Sequence, residues 1–189
     1  MADAGFWNRA AKKYAASPVK DMAAYDATLE RARAYLSPDD HLLEIGCGTG
    51  TTALKLASSV RQITATDLSS EMLSFAREKK AAAEISNVQF IEAAATAPLE
   101  VAPFDATCAF SILHLLDDLP AALQHLHGQI KPDGYFISKT ACLKEMSIFI
   151  RLAVRVMKVF GKAPHVLILD AKALEETIRQ NGFDIVETG

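Results

Sequence analysis

The run Leu42-Leu-Glu-Ile-Gly-Cys-Gly-Thr-Gly50 constrains this chain more than any other segment: an apolar stretch that ends on glycines at alternate positions 46, 48 and 50. A short apolar run of this kind, preceded by the turn Ser37-Pro38-Asp39-Asp40, reads as a buried parallel strand, His41 to Ile45. Glycine at its carboxyl end permits φ > 0 and close approach of a ligand, and the free N–H groups of the next helix can face polar ligand atoms. Open α/β sheets bind their ligands at that edge.

The remainder alternates in the same way. The pattern predicts helices over Asp21–Tyr35, Thr51–Ser59, Ser70–Ala83, Leu119–Gln129, Lys144–Phe160 and Ala171–Gln180, the last with Asp170 as N-cap and Gly182 past its end. Strands are expected at Gln62–Thr66, Val88–Ile91, Phe104–Phe110, Tyr135–Thr140 and, sixth, Gly182–Glu187. Alternation predicts an α/β fold: a Rossmann-like, doubly wound, mainly parallel sheet with helices on both faces and right-handed crossovers. At 189 residues the chain is read as one domain, 1–189.

A second position sharpens the first. Asp67 closes the second expected strand in Ile63-Thr-Ala-Thr-Asp-Leu-Ser69, where a carboxylate can accept hydrogen bonds from both hydroxyls of a ribose. A dinucleotide fingerprint, G-x-G-x-x-G, needs glycine at position 51, which is Thr51. With Glu44 before the loop, a pyrophosphate-binding turn is disfavoured and an adenosine-bearing ligand fits.

Glu44 to Gly50 together with Asp67-Leu-Ser-Ser-Glu-Met-Leu73 resembles the class I S-adenosylmethionine-dependent methyltransferases, and the resemblance extends over most of the chain. It implies cofactor contacts at Glu44, Gly46, Cys47, Gly48, Gly50, Asp67, Leu68 beside the adenine, Met72, Ala94, Ala95 and Phe110. Trp7-Asn-Arg-Ala-Ala-Lys-Lys-Tyr14 is similar to the lid of small-molecule methyltransferases, which puts Trp7 and Tyr14 over the cofactor and makes 1–35 a helical lid. Ser111-Ile-Leu-His-Leu115 follows strand four, where in that family the acceptor faces the methyl group, so His114 is the candidate general base, with a packing or substrate-contact residue as the alternative. The implied product is S-adenosylhomocysteine.

Two positions depart from that family's pattern. Ala94 stands where an acid commonly meets the adenine amino group, and the sequence stops after its sixth expected strand, so the final antiparallel strand is expected to be absent. The first leaves a noncatalytic cofactor-binding module as the alternative, with an NAD-type oxidoreductase behind it.

Composition narrows the partners. A net charge of −3 offers no basic face to nucleic acid, and no Asn/Asp/Ser-Pro-Pro-aromatic run follows strand four, so a small-molecule acceptor is expected rather than a nucleobase. Cys47, Cys108 and Cys142 form no metal or disulfide spacing, and His125 with His127 lies i, i+2 on a helix, facing solvent rather than a metal. No segment reaches the ~20 apolar residues of a membrane span and no secretory leader is evident, which makes the cytoplasm the expected location. Over 144–162, Lys144, Arg151, Arg155, Lys158 and Lys162 form a basic stripe on an apolar helix, expected as an insertion over the substrate site able to touch a membrane surface weakly.

Overall fold

The computed structural model describes residues 4–142, 144 and 166–189. In chain order it has α1 (Ala4–Ala15), α2 (Met22–Arg33), β1 (His41–Ile45), α3 (Thr51–Leu56, prolonged by a 3-10 turn over Ala57–Ser59), β2 (Gln62–Asp67) and α4 (Ser70–Ala82). There follow β3 (Val88–Glu92), β4 (Phe104–Phe110), a 3-10 turn at Leu113–Leu115, α5 (Leu119–Gln129), β5 (Ile130–Lys139) and α6 (Ala171–Gln180). The expected helix over 144–160 lies outside the described residues apart from Lys144.

The strands form one sheet in the order β3-β2-β1-β4-β5, every pairing parallel. β1 is central and neighbours both β2 and β4, so the chain winds outward in two directions from it. That reversal makes the carboxyl ends of β1 and β4 the topological switch point, where an α/β sheet of this kind holds its ligand.

Both faces of the sheet are covered. On one, Leu42, Ile63, Ala65, Val88, Phe90 and Cys108 pack with Leu29 of α2, Ala53 and Leu56 of α3, and Leu73 and Ala76 of α4. On the other, Leu43, Ile45, Phe104 and Ala109 meet Leu119, Leu123 and Leu126 of α5 and Leu174 of α6. The split of Leu42 from Leu43 is the period of two of a strand, and burial on both faces is why β1 reads as a near-continuous apolar run. Leu42 and Leu43 are each at most 1% exposed, so truncation of either to Ala costs about 2–5 kcal/mol.

Side-chain caps fix the helix starts: Asp21 accepts from Ala24 N–H, Ser69 from Met72 N–H, Asp118 from Ala121 N–H and Asp170 from Ala173 N–H. Such a cap contributes about 1 kcal/mol. α3 differs, because its N-cap is Gly50 with no side chain to offer.

Two expectations are corrected. Residues 182–187 form no strand; their alternation of half-buried and exposed positions comes from side-chain anchoring rather than a backbone ladder. Phe183 packs on Phe136 and His127, and Glu187 reaches Arg31 and Tyr35. His125 is half-buried and bonds the Ala97 carbonyl and Gln129 instead of facing solvent. The regular part of β5 starts at Tyr135, as expected, after a pairing irregularity in which Phe104 meets Ile130 and Ala106 meets Tyr135.

Candidate cofactor and acceptor site

The glycine loop is built by three left-handed residues, Gly46 (φ +64), Gly48 (φ +53) and Gly50 (φ +73). Their surroundings separate their roles. A Cβ at Gly46 would come within 2.7 Å of Ile112, and one at Gly50 within 2.7 Å of Phe90 and 2.8 Å of Ala76, so these two glycines serve backbone and packing together. A Cβ at Gly48 would meet only the edge of the Tyr14 ring, at 3.8 Å. Gly48 is therefore the point at which something can lie against the loop.

The loop is tied down on every side. Cys47 N–H donates to the Thr66 carbonyl (2.9 Å), joining it to β2, and Lys79 Nζ of α4 donates to Thr49 Oγ1 (2.8 Å) and Thr51 Oγ1 (3.0 Å). Cys47 is buried, and burial, then Glu44 and Asp67, push its thiol up, so it contributes backbone geometry rather than a thiolate.

Asp67 ends β2 beside the loop. One carboxylate oxygen accepts from Gly48 N–H (2.8 Å) and the other from Ser69 N–H (2.9 Å). Those bonds lock the carboxylate plane, and the carboxylate keeps acceptor capacity that neighbouring hydroxyls can use. Burial raises its pKa despite the opposing bonds from Ser69, Gly48 and Leu68 N–H.

Glu44 lies beneath the loop at 3% exposure. It takes a hydrogen bond from Ala53 N–H in the first turn of α3, the cap that Gly50 lacks, while Oε2 has no partner among the described residues. Burial, only partly offset by that bond and reinforced by Asp67, pushes its pKa up to about 8. The carboxyl is thus mainly neutral at pH 7, with one buried oxygen unsatisfied among the described residues.

α1 reaches this region through Asn8. Its Oδ1 accepts from Ser69 Oγ (2.6 Å) and Glu71 N–H (3.4 Å), pinning α1 to the cap of α4, one turn from Asp67. Six residues along, Tyr14 comes over Gly48, and partial burial, then Asp67 and Glu44, raise its hydroxyl pKa. Trp7 meets Phe6 edge to face, with ring centroids 5.2 Å apart.

The other expected contacts are distributed. Leu68 is half-buried beside Asp67, whereas Met72 is 2% exposed in the core under α4. Ala94 is exposed, Ala95 packs against the α5 side of the core, and half-buried Phe110 packs against the opposite side at the end of β4. Just past it Ser111 is held at φ +57, turning the chain into the segment that carries His114. His114 is half-buried, burial lowers its pKa, and Nδ1 is buried without a hydrogen-bond partner among the described residues. Its carbonyl accepts from Leu167 N–H at 2.7 Å.

Asn8 and Lys79 were not legible in the sequence, since each acts on a residue 30 or more positions away. Among the described residues no group of three His, Cys, Asp or Glu side chains could hold a metal, and no helix is long and apolar enough to cross a membrane.

A family model described as a methyltransferase domain matches residues 43–138, from β1 to the end of β5. The malonyl-[acyl-carrier protein] O-methyltransferase of Serratia marcescens is 29% identical over 142 residues, 74% of this chain and 52% of that protein. The demethylmenaquinone methyltransferase of Symbiobacterium thermophilum is 29% identical over 125 residues, 64% of this chain and 49% of the relative. The chain thus spans about half the length of these curated relatives. Among solved structures, a Thermotoga maritima protein described as an S-adenosylmethionine-dependent methyltransferase superposes with a TM-score of 0.72 at 23% identity, covering 96% of this chain and 81% of that one.

Proposed function

The chain belongs to the class I S-adenosylmethionine-dependent methyltransferases, and from that membership we propose that it transfers a methyl group from S-adenosylmethionine to a small, hydrophobic or lipid-like acceptor. The observation that carries the reading is Asp67, locked by Gly48 and Ser69 N–H at the carboxyl edge of β2 with acceptor capacity left on its two oxygens. Two ribose hydroxyls satisfy both. Gly48 supplies the opening for the methionine part, Leu68 and Ala95 flank the adenine, and Phe110 closes the crevice. The unsatisfied Oε2 of Glu44 offers a polar contact from below, and α1, latched by Asn8, serves as a lid with Tyr14 and Trp7 over the cofactor.

When bound, the cofactor supplies an electrophilic sulfonium methyl, whose C–S bond breaks in line with attack and leaves its electron pair on sulfur, as S-adenosylhomocysteine. The chain's task is to align and desolvate the acceptor. His114 is neutral at pH 7 because burial lowers its pKa, and its buried Nδ1 is available to take the proton an acceptor hydroxyl releases. The acceptor class is supported by the names of the two curated relatives, one acting on a malonyl-acyl carrier and one on demethylmenaquinone, and by the apolar composition of residues 144–162. The family match replaces the oxidoreductase alternative.

Ala94 favours a second reading, a module that binds the cofactor without turning it over, because it supplies no carboxylate to the adenine amino group. Incubation with S-adenosylmethionine and fractionated lipid and polar extracts, read as S-adenosylhomocysteine release, decides between them. Release with the lipid fraction is expected; binding without release from any fraction selects the second reading.

A further inference from the structure

The amino edge of the sheet carries a cleft unrelated to the glycine loop. It is open, about 490 Å³ in volume, and runs along the start of β3, the outermost strand. Arg61, Arg77 and Lys80 line it with Gln62, Ser86 and Gln89, and no carboxylate is among its lining residues. In a chain of net charge −3, three cations around one cleft are not the average surface.

The two guanidinium groups are pre-set. Arg61 Nε donates to the Asp39 carbonyl (3.1 Å) and Arg77 Nη2 to the Phe90 carbonyl (3.4 Å), which fixes each head while its other N–H groups stay available. The cleft floor is equally fixed, because the Asn87 amide bonds the Ala57 carbonyl at 2.8 Å and that of Val60 at 3.1 Å. None of the three cations forms an ion pair among the described residues. Asp105, whose charge Arg61 does feel, is already engaged by Lys131 and His41 N–H.

We propose that this cleft is a second ligand site, one that takes a phosphate-bearing small molecule with two or more linked phosphates across Arg61, Arg77 and Lys80. Tethered guanidinium forks match phosphate oxygens two at a time, and a neighbouring ammonium adds an undirected charge. A single monoanion leaves at least one of the three cations unsatisfied, so linked phosphates are preferred. The volume falls in the ~300–1,000 Å³ range of small-molecule sites. Because the cleft lies at the amino ends of β2 and β3, its occupant does not compete with the cofactor at the carboxyl edge.

The test is a titration of the full chain with pyrophosphate, followed by amide chemical shifts and calorimetry at ~50 mM salt, with and without S-adenosylmethionine. A saturable Kd below ~1 mM is expected, with shifts confined to residues around positions 61, 77 and 80. The double variant Arg61→Gln/Lys80→Gln should weaken binding at least ~10-fold, with the melting temperature and cofactor titration unchanged. Parallel titrations identify the source: ATP binding no tighter than inorganic tripolyphosphate marks recognition of the phosphate chain alone, and tighter binding marks a nucleotide. No saturation by ~10 mM pyrophosphate, affinity untouched by the double variant, or displacement by S-adenosylmethionine would each overturn the proposal. All three can occur while methyl transfer is intact.

Discussion

Replacing Glu44 with Gln should change how stability depends on pH, because the folded chain holds this carboxyl neutral up to about pH 8, against an ordinary value of 4.5. Between those values the unfolded chain has released the proton and the folded chain keeps it. The folded state then binds more protons, so unfolding free energy falls as pH rises. The contribution is fully present below pH 4.5, declines through the interval and is gone above about 8. At ~1.4 kcal/mol per unit of displacement, it is on the order of 5 kcal/mol before structural relaxation, and about 2–3 kcal/mol is a realistic observable.

The Gln side chain keeps an oxygen for Ala53 N–H and cannot ionise, so the variant lacks this slope. Urea unfolding of both proteins at intervals from pH 5 to 9 measures the difference directly. The wild type should lose ground to Glu44→Gln from pH 5 to about 8 and level off above that, with m-values unchanged. Parallel stability curves would refute the assignment of a buried, neutral Glu44.

Three further outcomes follow from the same geometry. Gly48→Ala should weaken cofactor binding ~10-fold or more at a cost of only about 1 kcal/mol in stability, whereas Gly50→Ala should cost about 2–4 kcal/mol because its methyl group meets Phe90 and Ala76; isothermal titration and thermal melts separate the two. Lys79→Met, which removes both bonds to the loop threonines, should raise the cofactor Kd by ~3–10-fold in calorimetry. His114→Gln should abolish turnover of a hydroxyl acceptor while binding persists. The wild-type kcat should rise with pH through a midpoint below 6.5, following the lowered pKa; near-normal turnover by the variant would remove the base.

The parallel architecture and the position of the ligand edge were legible because Leu42 to Gly50 carries its own instructions: apolar residues buried on both faces of a strand, then glycines where the backbone must take φ > 0. Asp67 was legible for a similar reason, being a carboxylate at the end of the apolar strand that follows the glycine loop. Glu44 could be placed near the loop but not read, since its charge state follows from complete burial and a bond to Ala53 N–H that no spacing reveals. The route of α1 was equally hidden: an asparagine at position 8 is a generic helix residue until folding sets it against the Ser69 cap. Residues 182–187 misled because Phe183 and Ile185 alternate as a strand does, although rings and an ion pair hold the segment and no ladder forms.

The central claim concerns Asp67 and the loop above it, and calorimetric titration with S-adenosylmethionine and S-adenosylhomocysteine tests it most directly. The wild type should bind both with Kd in the ~1–100 μM range, and Asp67→Ala should lose ~100-fold through two charge-assisted bonds while keeping its melting temperature within a few degrees. Absence of binding by the folded wild type, or equal affinity in the variant, would contradict the account.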